Sequence, residues 1–351
     1  MSTPDAIVVM RSPGETRFAL LAGDDLIEIV HRRDGVLAPG AVVTGRVVGH
    51  APGFAFVGIG DAQPGVLKVK TPLVEGSHVI VRLVVPARRD KGAELVRADR
   101  EAPAPDPAVT WWARHRDTIE QVQVSPAGEL RRLKAALPDA PLTDGGPDPF
   151  AKLGIDAAIE AALDPVVPLP GGAGLVVEPT AAAICIDIDA GRRTPAAANV
   201  AAVAAIAQAL RLRNLSGHIL IDVIPGARGA ARTFAEQLKE AVADDPAPVQ
   251  IAGVTPLGMV ELTRRRDGLA LAETLSDPVA EAAYAVLRGA VRRAFEDQAT
   301  TLVINASAEV IARLQGSFRP ALEAAADQGK CTITFAVKSD WPPGRAEVNS
   351  L

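Results

Sequence analysis

Two short apolar runs, each ending on an aspartate, constrain this chain more than any other feature. The first is Ala182-Ala183-Ile184-Cys185-Ile186-Asp187, the second His218-Ile219-Leu220-Ile221-Asp222-Val223-Ile224. Branched apolar runs of this length read as buried β-strands. Between them Thr194-Pro195 opens an Ala/Leu-rich stretch that runs to Leu215 and is closed by Ser216-Gly217. That is the pattern of a helix with an N-cap threonine, proline at the first helical position and glycine past the end. Strand, helix, strand is a crossover unit, and such units usually set their strands parallel and often adjacent. Both carboxylates then fall at one edge of a sheet, close enough to share one hard cation. A Mg²⁺ held by one or two carboxylates, its other positions left to water and phosphate oxygens, is the usual arrangement for phosphodiester chemistry.

The chain's 351 residues suffice for two or three domains. With 48% hydrophobic and 23% charged residues it is globular rather than disordered. The longest apolar runs read as too short to span a bilayer and the N-terminus lacks a signal-peptide pattern, so a cytoplasmic protein with no membrane partner is expected. Cys185 and Cys331 are the only cysteines, which argues against disulfides and a cysteine zinc site. A net charge of −5 argues against a dedicated nucleic-acid binder but leaves room for local positive patches. Arginine, the better bidentate phosphate ligand, outnumbers lysine.

Residues 4–35 carry two or three strand-like runs. The segment from about 40 to 100 is Val/Gly-rich with frequent turns, and four runs in it (42–48, 54–60, 65–69 and 78–84) predict a small closed barrel. Ala102-Pro103-Ala104-Pro105-Asp106-Pro107 reads as a linker. Helices are expected over 110–122, 129–137, 153–163, 231–243 and 259–266, with a strand over 249–254. The tail predicts helix 278–297, strand 301–305, helix 307–315 and strand 331–337.

The residues around the two aspartates carry a resemblance. Leu169-Pro170-Gly171-Gly172-Ala173-Gly174-Leu175-Val176-Val177-Glu178-Pro179-Thr180, followed by Ile186-Asp187-Ile188-Asp189-Ala190-Gly191-Arg192, resembles the ribonuclease E/G signature. There a Leu-Pro-Ser-Gly-Gly loop leads to a Thr-Glu-Ala strand and an Ile-Asp-Val-Asn-Ser-Gly turn. The stretch from Gln208 to Asp222 is similar to the family's helix and second metal strand, and Leu257 to Arg266 to its Gly-Leu-Leu-Glu-Met-Thr-Arg segment. Residues 40–100 are similar to its S1-type RNA-binding barrel, and 271–351 to its C-terminal domain.

The resemblance implies an α/β (α+β multidomain) chain. An RNase H-like scaffold spans 1–38 and 110–165, and an S1-like OB barrel is inserted at 39–101. A DNase I-like catalytic subdomain spans 166–268, and a small α/β domain covers 269–351. It also implies a Mg²⁺-dependent endoribonuclease acting on single-stranded RNA, leaving 5′-phosphate and 3′-hydroxyl ends. Asp187 and Asp222 would hold the metal and Asp189 would assist. Phe56 would stack a base, Arg88 and Lys91 would contact phosphate, and the family's pairing through the catalytic subdomain implies a homodimer.

Several positions depart from the family pattern. Asp189 stands where the family has asparagine; it reads as a third ligand, a general base or a group that repels phosphate, and Asp-Ala-Gly is also a plain turn signature. Ala181 replaces the Glu of Thr-Glu-Ala, Val66 replaces the barrel's second aromatic, and Asp245-Pro246-Ala247-Pro248 replaces Asp-Arg-Ala-Arg. The segment between barrel and nuclease core is short, the Arg-Thr pair that reads a 5′-monophosphate has no counterpart, and the family's zinc-linking cysteines near residue 270 are absent. Neither 5′-monophosphate sensing nor structural zinc is expected. Arg264-Arg265-Arg266 reads as a solvated helix end or as a phosphate clamp near the metal, with Arg264 and Arg265 as RNA contacts. Phe54 and Phe56 share one face of a strand, either barrel core or RNA surface. Trp111-Trp112 reads as interdomain packing, and Gly171-Gly172-Ala173-Gly174, which precedes a strand, as a turn rather than a phosphate loop. Two other function classes fit the residues: a catalytically impaired RNA-binding or ribosome-associated protein that keeps the fold, and a metal phosphatase indifferent to RNA.

Overall fold

The computed structural model describes residues 3–88 and 91–350. Three strands come first, β1 (Ala6–Ser12), β2 (Glu15–Ala22) and β3 (Asp25–Arg33), then β4 (Val42–Ala51), β5 (Phe54–Gly58), β6 (Gly65–Lys68), β7 (His78–Val85) and β8 (Glu94–Arg97). A mixed stretch follows: α1 (Pro107–His115), β9 (Gln121–Ser125), α2 (Ala127–Ala136), β10 (Leu142–Asp144), α3 (Pro149–Lys152) and α4 (Ile155–Leu163). Next come β11 (Val166–Pro168), β12 (Gly174–Pro179), β13 (Ile184–Asp189), α5 (Pro195–Leu212), β14 (Gly217–Asp222), α6 (Ala230–Ala241), β15 (Val249–Val254) and β16 (Val260–Arg264). The chain ends with α7 (Leu271–Thr274), α8 (Pro278–Glu296), β17 (Thr301–Ala306), α9 (Ala308–Gln315), α10 (Arg319–Gly329), β18 (Thr332–Val337) and β19 (Ala346–Ser350). The starts of α1, α3, α5 and α8 share one local chemistry. Asp106, Asp148, Thr194 and Asp277 each accept a hydrogen bond from a first-turn N–H, and proline follows at once.

These elements form two compact units. One comprises Leu37–Pro105 and Ala157–Glu273, the other Thr3–Val36, Asp106–Asp156 and the chain from Thr274 on.

The first unit holds the barrel and the sheet that carries the aspartates. The barrel closes in the order β4-β5-β6-β8-β7, so it has five strands where the sequence suggested four; Glu94–Arg97 is the addition. Val57, Leu67, Val81, Leu83 and Leu95 fill it. Gly65 is required by packing, because a Cβ there would lie 2.5 Å from Leu95 Cδ1. The sheet has the order β11-β12-β13-β14-β16-β15. Within it β13 and β14 are parallel and every other pair is antiparallel. Ile186, Ile188, Ile219 and Ile221 pack against Ile206 and Leu210 of α5 and Phe234 and Leu238 of α6. Among the described residues α5 is the one helix long and apolar enough to cross a membrane, contrary to the sequence expectation, and half of it is buried against this sheet. The helix ends at Leu212, and the left-handed residue after it is Asn214 (φ 46°), so Gly217 starts β14 instead of closing the helix.

The segment expected to be helical at 259–266 is strand β16. Val260, Leu262 and Arg264 point inward while Glu261 and Thr263 face out, a period of two.

The second unit has a five-stranded sheet of order β10-β9-β1-β2-β3. Strands β1, β2 and β3 form an antiparallel meander, and β9 runs parallel to both β1 and β10. The expected helix over 110–122 is α1 followed by β9, whose Val122 and Val124 are fully buried beside Ile7 and Val9. Trp111 is 3% exposed in this same core and donates to Glu28, so it is a core residue of its own sheet. The unit also carries a three-stranded sheet, β18-β17-β19, against α8, α9 and α10. Glu15 and Arg17 on β2 are buried with charged partners: His31 Nδ1 lies 2.9 Å from Glu15, Arg288 donates to Glu15 at 2.6 Å, and Arg17 pairs with Asp156 and lies over the Phe150 ring.

Candidate active site and nucleic-acid interface

The register of the two parallel strands sets the site. Ile184 pairs with Ile219, and the same offset brings Asp187 opposite Asp222. Register partners on adjacent strands lie about 4.8 Å apart, so the two carboxylates are neighbours on one face. Alternation explains why they are free. Ile186, Ile188 and Ile221 enter the core under α5 and α6, while Asp187, Asp189 and Asp222 face away and are exposed. Crevices beyond the carboxyl ends of parallel strands are the usual ligand sites of α/β sheets.

Four connections gather at that edge: the loop 171–173 before β12, the turn 190–194 after β13, the loop 223–229 after β14 and the tip 255–259 before β16. The first two are interlocked. Gly191 has φ 54°, and a Cβ there would lie 2.0 Å from the Gly172 carbonyl oxygen. Asp189 closes the same turn, its Oδ1 accepting from Gly191 N at 3.0 Å. The Gly171–Ala173 segment is a turn that leads into β12 at Gly174, as its sequence suggested. The third connection is held by Asn199, a buried residue in the first turns of α5. Its amide donates to the Ile224 carbonyl at 3.0 Å and accepts from Ile224 N at 3.2 Å. That clamp fixes the chain two residues after Asp222.

The donor set fits a hard divalent ion. Asp187 and Asp222 supply carboxylate oxygens, and among the described residues neither forms an ion pair that would neutralise it. Magnesium is bound by one or two carboxylates with water completing its shell, so two converging aspartates suffice. Among the described residues no set of three or more His, Cys, Asp or Glu side chains converges as a fuller cage, and Asp189 is engaged in its turn.

The barrel resolves the ambiguity of Phe54 and Phe56. Ala55 and Val57 are fully buried, so the two rings point outward. Phe56 sits beside Gly49, where a Cβ would touch the ring at 3.7 Å, and opposite Val66. Arg88 and Lys91 form a backbone bridge at the barrel rim. Lys91 is exposed, whereas the Arg88 guanidinium lies 3.8 Å from Glu94 and 3.7 Å from Glu273. Residues 39–101 carry more Lys and Arg than Asp and Glu, against the net −5 of the whole chain.

The arginine run is not where a clamp at the aspartates would need it. Arg264 pairs with Gly217, the first residue of β14, while Asp222 is the last. Five residue steps along β14 separate Gly217 from Asp222, about 17 Å. Arg264 is also 3% exposed, with its guanidinium on Asp245 at 2.9–3.1 Å and on Asn214 at 2.7 Å. It is a buried structural cation and has no face to offer RNA. Arg265 is exposed, at that same far end. The arginines at the aspartate edge are Arg192, Arg193, Arg228 and Arg232; Arg193 is half-buried and donates to the Ala197 carbonyl at 3.2 Å, and the other three are exposed. Sequence reading missed them and Asn199. The available signals were position in the connections that follow β13 and β14 or at the start of α6, and an asparagine among the alanines of a buried helix.

Residues 118–267 match the model of the ribonuclease E/G family. That span runs through β9 to β16, contains both aspartates and leaves out the barrel. The chain is 40% identical over 132 residues to ribonuclease E of Nostoc sp. (strain PCC 7120 / SAG 25.82 / UTEX 2576), covering 35% of this chain and 19% of that protein. It is 36% identical over 145 residues to ribonuclease G of Haemophilus influenzae, covering 39% of this chain and 30% of that one. Against ribonuclease E of Escherichia coli (strain K12) it is 34% identical over 134 residues, 36% of this chain and 13% of that protein. The matched stretch thus spans less than a third of the length of these relatives.

Proposed function

Since this chain belongs to the ribonuclease E/G family, we propose that it is an endoribonuclease cutting single-stranded RNA at Asp187 and Asp222, with Mg²⁺ as the metal. The observation that carries this reading is the register of β13 and β14, which sets two unneutralised carboxylates side by side at a strand edge. A Mg²⁺ held there would acidify water and offset the charge that builds on phosphoryl oxygens.

The protein's own groups have separable tasks. Asp187 and Asp222 supply hard oxygen ligands. Asn199 positions Asp222 by fixing Ile224. Asp189 shapes the turn that carries Arg192, and Arg192, Arg228 and Arg232 offer guanidinium groups to the phosphates flanking the cut. On the barrel, Phe56 stacks a base and Lys91 contacts phosphate; Arg88 serves chiefly to hold the rim. The scaffold reading extends to architecture. The sheet β10-β9-β1-β2-β3 acts as an RNase H-like platform, β11 to β16 with α5 and α6 as a DNase I-like subdomain, and the barrel as an S1-type module. Products carry 5′-phosphate and 3′-hydroxyl ends. The protein works in the cytoplasm as a homodimer, without zinc and without sensing a 5′-monophosphate.

The test incubates purified protein with an A/U-rich single-stranded oligonucleotide and Mg²⁺, beside an Asp187→Asn/Asp222→Asn double variant. Cutting by the parent and none by the variant is expected. Cutting that persists in the variant, or RNA bound and left intact by the parent, overturns the assignment.

A further inference from the structure

The outer face of the barrel has a second feature besides Phe56. An open cleft of about 470 Å³ lies where the β4–β5 hairpin meets the chain leaving β6. Its walls include His50, Pro52, Phe54, Val69, Lys70 and Pro72. Phe54 is 40% exposed, and its register partner across the sheet is the exposed Lys68. An aromatic ring, an imidazole and one ammonium group around one cleft, with Lys68 beside Phe54, suit a flat π-system that carries negative charge. Single-stranded nucleic-acid sites are built this way, with aromatic platforms for bases and cations along the backbone. The cleft falls within the size range of pockets that take one small ligand. It is also continuous with Phe56, since side chains two residues apart on a strand are about 7 Å apart on the same face.

We propose that the cleft of His50, Phe54 and Lys70 is a nucleotide subsite, in which a base of single-stranded RNA stacks on Phe54 while its phosphate meets Lys70. The neighbouring nucleotide lies over Phe56. This rests on the reading of the barrel as an RNA-binding module.

Fluorescence anisotropy with a labelled 12-nucleotide single-stranded RNA, in EDTA so that metal-dependent cutting stops, tests it on the full chain. Phe54→Ala is expected to weaken binding by about 5- to 150-fold, the usual cost of losing one stacked base. Phe54→Trp should retain affinity, and Lys70→Ala should weaken binding and flatten its salt dependence. Both positions are exposed, and thermal melts check that each variant is folded. Parental affinity in Phe54→Ala together with weakened binding in Phe56→Ala overturns the subsite and leaves the barrel reading standing. Loss of affinity in Phe54→Trp equal to that in Phe54→Ala overturns stacking. Absence of RNA binding by the parent protein overturns both readings.

Discussion

Glu15 is fully buried, and burial alone would push its carboxyl up. The hydrogen bond and charge of His31, with the charges of Arg288 and Arg17, outweigh that and hold it down at about 2. A carboxylate depressed in the folded state stabilises the fold wherever it is ionised. Its contribution is complete above the unfolded value of 4.5 and is lost as pH falls from there towards 2. The size is about 3 kcal/mol. Thermal melts between pH 6 and pH 2 should show Tm falling through that window, with a shallower fall and a lower neutral-pH Tm in Glu15→Gln. An unchanged acid profile in the variant would remove Glu15 from the account. The Asp245–Arg264 pair is a second buried ion pair. Both side chains are at most 2% exposed, so deleting one partner strands a buried charge. Asp245→Ala should cost about 3–5 kcal/mol in denaturant unfolding. A loss under about 1 kcal/mol would mean that water reaches Arg264.

At the scale of elements, the turns matter more than the strands they join. Gly191 combines a left-handed φ with a Cβ position inside contact distance of Gly172, so Gly191→Ala must unlock the two turns at the aspartate edge. Reduced cutting with a lowered Tm is expected; a fully active, unshifted variant would show that the interlock is dispensable. Asn199→Ala removes both bonds to Ile224. It should lower the rate of cutting more than it lowers RNA affinity, which single-turnover kinetics and binding would separate. Strands β13 and β14 and helix α5 were legible in the sequence because their signals are local: run length, branched residues and a Thr-Pro cap. The paired aspartates followed from that alone. Strand β16 was missed because its alternation covers only five residues and ends on an arginine, an unusual inward residue. What makes Arg264 an inward residue is Asp245, nineteen positions earlier and joined to it only across the folded sheet. The grip of Asn199 on Ile224, 25 residues away, was hidden for the same reason, as was the partnership of Glu15 with Arg288. Charge pairs that form over such separations leave no periodicity to read.

For the whole chain, charge limits how RNA can be held. With a net charge of −5, long-range attraction to a polyanion is weak, and affinity must come from stacking and a few placed cations. On the barrel we assign that role to Lys68 and Lys70 beside Phe54 and to Lys91 at the rim bridge, all exposed; Arg46, Arg82, Arg97 and Arg100 are exposed elsewhere in the same segment. Each phosphate neutralised on a single strand contributes about −0.7 to the slope of log K against log salt, so these three lysines together with Arg192, Arg228 and Arg232 at the aspartate edge give a slope of about −4. Anisotropy titrations of the full chain between 50 and 300 mM KCl should return that slope. Phe54→Ala and Phe56→Ala should lower the affinity and leave the slope alone, because a ring releases no counterions. Lys70→Ala should reduce the slope by about one contact's worth. A slope steeper than about −5 needs seven or more phosphate contacts. That is more than the barrel lysines and the arginines at the aspartate edge supply, and the RNA path would then have to be redrawn along the exposed barrel arginines Arg46, Arg82, Arg97 and Arg100.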